Sequence, residues 1–257
     1  MESEELLLFA ADAARMMLEN GGETYRAEEI AMRIIASQGG MEPECFATNT
    51  GLMLSFAGED GKVHSVVRRI KHRQMNLEKV SRLAKMAQAL ATDTMSFDEA
   101  SSEMDAIERM REHTLSAKVG AGALGAAFFT LLFGGRLLDA GAAVAIGAIL
   151  ELALAAFQRW RLPDFLASLA GGALATLASL AVHYCGLPIN TDVTVIGVIM
   201  LMVPGVAITN AIRDIIAGDL LAGLARGTDA FLTAAAISSG AGGVMALWRF
   251  LLPGVAR

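Results

Sequence analysis

The residues best suited to chemistry lie in and just after one apolar run. Between Val193 and Ile212 the pair Pro204-Gly205 falls near the middle of a stretch of about the ~20 residues needed to cross a bilayer. Proline removes a backbone donor and clashes with the preceding turn, and the glycine beside it adds freedom. A helix broken at membrane depth is tolerated only where it is buried in protein or lines a cavity, and its half-helix ends offer N–H and C=O groups to ions. Thr209, Asn210, Arg213 and Asp214 follow the break, then Asp219 and Arg226; Asn190, Thr191 and Asp192 precede the run. Arg213, or the half-helix amino terminus after Pro204, suits a carboxylate. Asp214, Asp219 or Glu151 suits a proton or an ammonium group. Glu151 lies inside another apolar run, where an ionisable side chain is costly and becomes a functional candidate. The plainer alternatives are a structural kink at Pro204-Gly205, an interfacial Arg213/Asp214 pair and a Glu151 that reaches the head groups.

The polar half of the chain carries no comparable constellation. Gly58-Glu59-Asp60-Gly61-Lys62 lacks the spacing and the Ser/Thr of a phosphate loop. No His-Glu-x-x-His, Cys-x-x-Cys or Gly-x-Ser-x-Gly occurs, so neither a cofactor nor a metal is implied. The run Arg68-Arg69-Ile70-Lys71-His72-Arg73 reads as a solvated loop, or as a contact to anionic lipid. Glu23, Arg26, Glu28 and Glu29 cluster where a helix begins, and carboxylates there favour its dipole. His183, near the end of an apolar run, reads as an interface residue.

These residues must be positioned by two kinds of element. From Met1 to His113 there are 20 Asp/Glu and 13 Lys/Arg; from Thr114 to Arg257 there are 7 and 8. This split predicts a soluble α+β domain over residues 1–113 and a transmembrane helical domain over 114–257. Five apolar runs follow His113: Ala117–Phe133, Leu138–Phe157, Asp164–Tyr184, Asp192–Ile212 and Thr228–Leu251. Together they predict a polytopic α-helical membrane protein of about five spans, since five consecutive helices apolar on nearly every face are foreign to a soluble fold. Ile215–Gly227, too short to span, reads as an amphipathic helix at the inner interface or as a re-entrant piece.

In the soluble part, helical periodicity covers Glu4–Glu19 and Thr24–Ser37, with Thr24 as N-cap. Short strands are predicted at Cys45–Thr50, Leu52–Phe56 and Val63–Arg69, the last two joined by Gly58-Glu59-Asp60-Gly61. Helices follow over Leu77–Ala91 and from Ser96 to Glu112, the latter opened by a capping box at Ser96-Phe97-Asp98-Glu99. The spans hold many glycines, which let helix backbones approach closely.

Mean hydropathy is +0.48, and 54% of residues are apolar, above an ordinary soluble domain. The net charge of −6 offers no basic stripe for nucleic acid. Cys45 and Cys185 make no disulfide framework, and the acidic start at Met1–Glu5 is unlike a cleavable signal. Lys/Arg near the span ends favour an amino terminus inside. That side collects Arg109, Arg111, Lys118, Arg159, Arg161, Arg213 and Arg226, against Arg136, Arg249 and Arg257 outside.

Three segments carry a family resemblance. Leu18-Glu19-Asn20-Gly21-Gly22-Glu23-Thr24-Tyr25-Arg26-Ala27-Glu28-Glu29, Thr48-Asn49-Thr50-Gly51-Leu52, and Val203-Pro204-Gly205 with Thr209-Asn210-Ala211-Ile212-Arg213-Asp214 and Gly218-Asp219-Leu220-Leu221-Ala222-Gly223 together resemble the threonine/serine exporter family of bacteria. The resemblance spans nearly the whole chain. It implies a secondary transporter in the bacterial inner membrane exporting threonine and serine or, in two-component systems, succinate and related dicarboxylates. It also implies that this chain is the larger subunit of the split form, needing a small membrane-protein partner in the same bilayer. The resemblance supplies no catalytic residues, so the candidate transport residues remain Pro204, Gly205, Thr209, Asn210, Arg213, Asp214, Asp219 and Glu151. The competing expectation is a membrane-anchored regulatory or scaffold protein with a ligand-sensing soluble domain. A membrane-embedded enzyme ranks third, lacking a nucleophile-base or metal constellation.

Overall fold

The computed structural model describes residues 3–58, 61–111 and 113–251. Glu59 and Asp60 of the expected turn, Glu112 at the expected end of a helix, Met1 and Arg257 lie outside the described residues. The chain divides into two compact units, Met1–Arg111 with Val206–Thr228, and Glu112–Gly205 with Asp229–Arg257.

The first unit opens with α1 (Ser3–Glu19) and α2 (Thr24–Ser37), continues through β1 (Met41–Thr48), β2 (Gly51–Ala57) and β3 (Val63–Arg69), and then α3 (Leu77–Ala91) and α4 (Phe97–Glu108). The sheet is antiparallel in the order β1-β2-β3. Its register sets Phe46 opposite Met53 and Met53 opposite Val67. Pleating then sends Ala47, Leu52, Leu54 and Phe56 into the core and leaves Phe46, Met53 and Val67 exposed. Sequence periodicity assigned α1 one apolar face, but Leu6, Phe9, Ala10, Ala13, Ala14 and Met16 are buried as well. The reason is that α2, β2, β3, α3 and α4 all pack against this one helix. Its four alanines at full burial let those neighbours approach.

Local capping follows the sequence at α4, where Glu99 N–H donates to Ser96 Oγ at 3.3 Å and Ser96 N–H to Glu99 Oε2 at 2.8 Å. It does not at α2. Glu23 takes the N-cap position without a side-chain cap bond, and Thr24 is the first helical residue.

The second unit contains α5 (Leu115–Leu132), α6 (Leu137–Arg159), α7 (Asp164–Tyr184) and α8 (Thr191–Ile199). After α8 come α9 (Gly205–Ala217) and α10 (Leu220–Leu251); α9 from Val206 and α10 up to Thr228 fall in the first unit, and α10 from Asp229 in the second. Among the described residues, four helices are long and apolar enough to cross a membrane: α5, α6, α7 and α10. The run expected as a fourth span is instead α8 and α9, separated at Met200–Pro204. With nine residues, α8 is about 14 Å long, half of a ~30 Å hydrocarbon core. Helix α8 closes on the tight bonds Leu201 N–H to Val198 O and Met202 N–H to Ile199 O, after which Pro204 has no donor with which to continue it. The segment Ile215–Gly227, expected as an amphipathic interfacial helix or a re-entrant piece, is not one continuous helix: it holds the turn at Gly218 (φ +101°) between α9 and α10.

Packing in the second unit depends on small residues. A Cβ on Gly240 would meet Leu169 O at 2.0 Å, and one on Gly172 would meet Ile237 O at 2.4 Å. The backbones of α7 and α10 therefore touch at two reciprocal glycines. Ala126, Ala143, Ile146, Leu150, Ala175 and Val198 form the core between α5, α6, α7 and α8.

Candidate functional site

The first unit gathers residues from all three resemblance-bearing segments at the turn between α9 and α10. Asn210, Ala211 and Asp214 are one turn apart and buried on one face of α9. At the start of α10, a Cβ on Gly223 would lie 2.8 Å from Ala211 O and 2.5 Å from Ile215 Cγ1, so α10 begins in backbone contact with α9. Asp219 N–H donates to Asp214 O at 2.8 Å and closes the turn.

Asp214, fully buried, is the hub. Its Oδ1 accepts Thr24 N–H at 3.1 Å, and its Oδ2 accepts Thr24 Oγ1–H at 3.2 Å. The first backbone donors of a helix have no partner within it and carry partial positive charge. A carboxylate 190 residues away thus does for α2 what the sequence assigned to Thr24 itself. Arg226 Nε lies 3.1 Å from Asp214 Oδ2, and the two side chains are 12% and 0% exposed. The same guanidinium donates to Asn49 Oδ1 at 2.9 Å and to Gly22 O at 2.8 Å. Asn49 Nδ2 donates to Ala222 O at 3.2 Å, and Arg73 donates to Asn49 O at 2.6 Å. Asn210 Nδ2 reaches Gly21 O at 3.0 Å; Gly21 can present that carbonyl because it sits at φ +90°. Arg213 pairs with Glu23 Oε1 at 2.6 Å, and Arg26 holds the other oxygen at 3.3 Å.

These pairings separate the carboxylates by their environment. Burial opposes ionisation of Glu23, but its own backbone N–H, Arg213 and Arg26 outweigh burial and hold it below the usual range. Glu28, on the next turn of the same helix, moves the other way. Burial raises it, the bond from Ala47 N–H only partly offsets this, and Asp219 and Asp214 add repulsion. Asp219 is raised by burial and by Asp214. Cys45, beside Glu28, is pushed up to about 12, chiefly by burial.

Of the expected transport residues, Asn210, Arg213, Asp214 and Asp219 come together here. Thr209 is an exposed residue of α9. Pro204, Gly205 and Glu151 belong to the second unit. There Glu151 of α6 lies over Gly122 of α5, in contact distance of any Cβ at that position, with Lys118 one turn earlier on α5. The sequence reading assigned Glu23 only a helix-dipole role and did not single out Thr24 Oγ1, Asn49 or Gly22 as partners of the charged residues. The available signal is that Leu18–Glu29 and Thr48–Leu52 carry the resemblance while, in the sequence alone, none of their residues has a role beyond local helix and strand formation.

The cluster is chemically closed. Among the described residues, every buried side-chain nitrogen and oxygen has a partner. Removing one member of such a buried ion pair costs about 3–5 kcal/mol, because it strands the other charge. The arrangement ties α2, the β1–β2 turn, α9 and α10 into one joint, and Arg213 meets a glutamate where a substrate carboxylate was expected.

Comparisons with known proteins point to one family. Residues 8–248 match the family described as "Putative threonine/serine exporter". A protein of Mycobacterium tuberculosis named "Probable threonine/serine exporter" is 24% identical over 240 residues, covering 91% of this chain. The chain spans about half of that relative's length, 45%. No solved structure matches. With a match running from α1 to the last turns of α10, over a chain whose apolar helices are long enough for a bilayer, the protein belongs to the threonine/serine exporter family.

Proposed function

We propose that the chain is the transport body of a secondary exporter of small carboxylate metabolites, either a dicarboxylate such as succinate or threonine and serine. It works in a bacterial inner membrane, with the soluble domain on the cytoplasmic side and a small membrane-protein partner. The observation that carries this reading is the interruption of the apolar run Asp192–Ile212 at Met200–Pro204, which leaves α8 too short to span. Irregular backbone in an apolar segment is stable only against protein or a water-filled path, and transporters use such breaks for their substrates. An inside-negative potential favours exit of an anion by ~2.3 kcal/mol per net charge per 100 mV, so a dicarboxylate can leave without a coupling ion.

The closed joint supports a second reading, a sensor or scaffold in which α2 holds α9 and α10, because its charges serve each other. The two separate in an efflux assay with preloaded labelled succinate and threonine, in cells lacking their own exporters. Cells express the chain alone, with a second membrane component of the family, or with that component and Asp214→Ala. The match covers less than half of the mycobacterial relative, which is why the second component forms its own arm. Efflux that needs both proteins, and falls with Asp214→Ala at unchanged membrane abundance, is expected. No efflux of either compound from cells with both proteins inserted would favour the scaffold.

A further inference from the structure

The second unit contains a cavity of about 330 Å³ that neither the sequence motifs nor the family match assigns. It is lined where α7 ends, α8 begins and α10 ends, by His183, Tyr184, Asn190, Asp192, Trp248 and Arg249 among others. Its floor is braced. Asp139, at the start of α6, accepts Asn190 N–H at 2.7 Å and Arg136 N–H at 2.7 Å, while Arg136 donates to Pro188 O at 2.6 Å. His183 Nδ1 lies 3.2 Å from Ile189 O, and Tyr184 and Trp248 meet edge to face at 5.9 Å.

Its charges differ from those of the joint. Arg213, Asp214 and Arg226 are all engaged by protein partners, whereas Arg249 and Asp192, both exposed, have neither an ion pair nor a hydrogen bond among the described residues. One cation and one anion face a cleft with an aromatic wall, and a few convergent polar groups in such a cleft mark a ligand site. The end of the unit with Lys118, Arg159 and Arg161 is the one that the distribution of positive charge places inside. Antiparallel packing of α5 on α6 and of α6 on α7 puts the cavity at the opposite end. Arg249, one of the cations that counts against the positive-inside rule, thereby acquires a task.

We propose that this cavity is an exit-side binding site for a small zwitterion bearing an ammonium and a carboxylate group. Arg249 holds the carboxylate, Asp192 at the first turn of α8 holds the ammonium, and Tyr184 and Trp248 enclose the carbon skeleton. A dicarboxylate fits poorly because its second anion would face Asp192. The site rests on the exporter reading for its purpose, but its occupancy is measurable without transport.

The chain has two tryptophans, so Trp160→Phe leaves Trp248 as a reporter inside the cavity. Purified protein in detergent is titrated with L-threonine, L-serine or succinate, following both Trp248 fluorescence and equilibrium binding of the labelled compound. Saturable threonine or serine binding is expected, with succinate weaker by about tenfold or more. Arg249→Gln should weaken the amino acids by at least about tenfold, Arg249→Lys less, and Asp192→Asn should remove the preference over succinate. Binding unchanged by Arg249→Gln and Asp192→Asn, in variants eluting as the parent does, overturns the site, as does the absence of saturable binding. If binding fails while cells still export either compound, the cavity is wrong and the exporter stands. If binding follows the expected pattern but no efflux occurs, the site stands and the exporter reading falls.

Discussion

Glu23 and Glu28 lie on adjacent turns around the same helix start, yet the fold drives them in opposite directions. Glu23 is held below the usual range, so its charge adds stability above the unfolded-state pKa, and that share is lost as pH falls through the lower folded value. Glu28 is raised, so ionising it costs stability, which is lost as pH rises from the unfolded toward the folded value. Glu23→Gln should therefore lower the melting temperature at pH 7, the gap closing as pH falls below the usual carboxylate range. Glu28→Gln should be neutral or stabilising at pH 7, since the amide oxygen still accepts from Ala47, and its advantage should vanish on acidification. Thermal unfolding in detergent from about pH 3 to about pH 8, a range that runs below the ordinary Glu value of ~4.3, checks both signs; two variants that behave alike would contradict this account of the joint. The carboxylates of this joint were visible in the sequence as residue types, but their opposite states were not. They depend on Arg213 and Asp219, brought near from 190 residues away.

Among the elements, the turn between α9 and α10 is the one most sensitive to volume. Gly223 is in backbone contact with Ala211, and the same helix start carries Ala222 and Arg226 into the joint. Gly223→Val should force α10 away from α9, cost about 1–3 kcal/mol, and free the Asp214–Arg226 pair. Hydrogen exchange at Thr24–Ala27, whose first amide is capped by Asp214, should accelerate in this variant. Unchanged protection there would mean that α2 does not depend on the elbow. Pro204-Gly205 was legible as a break because proline chemistry is local. The capping of α2 was not, because Thr24 satisfies every local rule for an N-cap and only the approach of α9 supplies a stronger acceptor.

At the scale of the whole molecule, the two cysteines provide a test of orientation. Cys185 is exposed just past the end of α7, at the end of the second unit that holds the cavity. Cys45 is partly buried with its thiol raised to about 12 and is correspondingly unreactive. A membrane-impermeant maleimide applied to intact cells should label the protein at Cys185, and Cys185→Ser should abolish the signal. Labelling only after permeabilisation would reverse the proposed orientation.

The sequence by itself determined the class of the protein: the step in charge density at His113 and the long apolar runs report burial in lipid, a property of each segment alone. It also determined the interruption near Pro204, since a missing backbone donor acts where it stands. Tertiary structure decided which charges meet. Asp214 with Arg226 and Thr24, Arg213 with Glu23, and Asn49 with Ala222 are pairs between segments far apart in the chain. Their geometry arises from helix packing at Gly223 and the positive φ of Gly21. Likewise, Arg249 and Asp192 share a cavity only because the end of α7, the start of α8 and the end of α10 meet there. Local propensity and hydropathy carry no information about such convergence, because pairing energies depend on distance and burial, which exist only once the chain has folded.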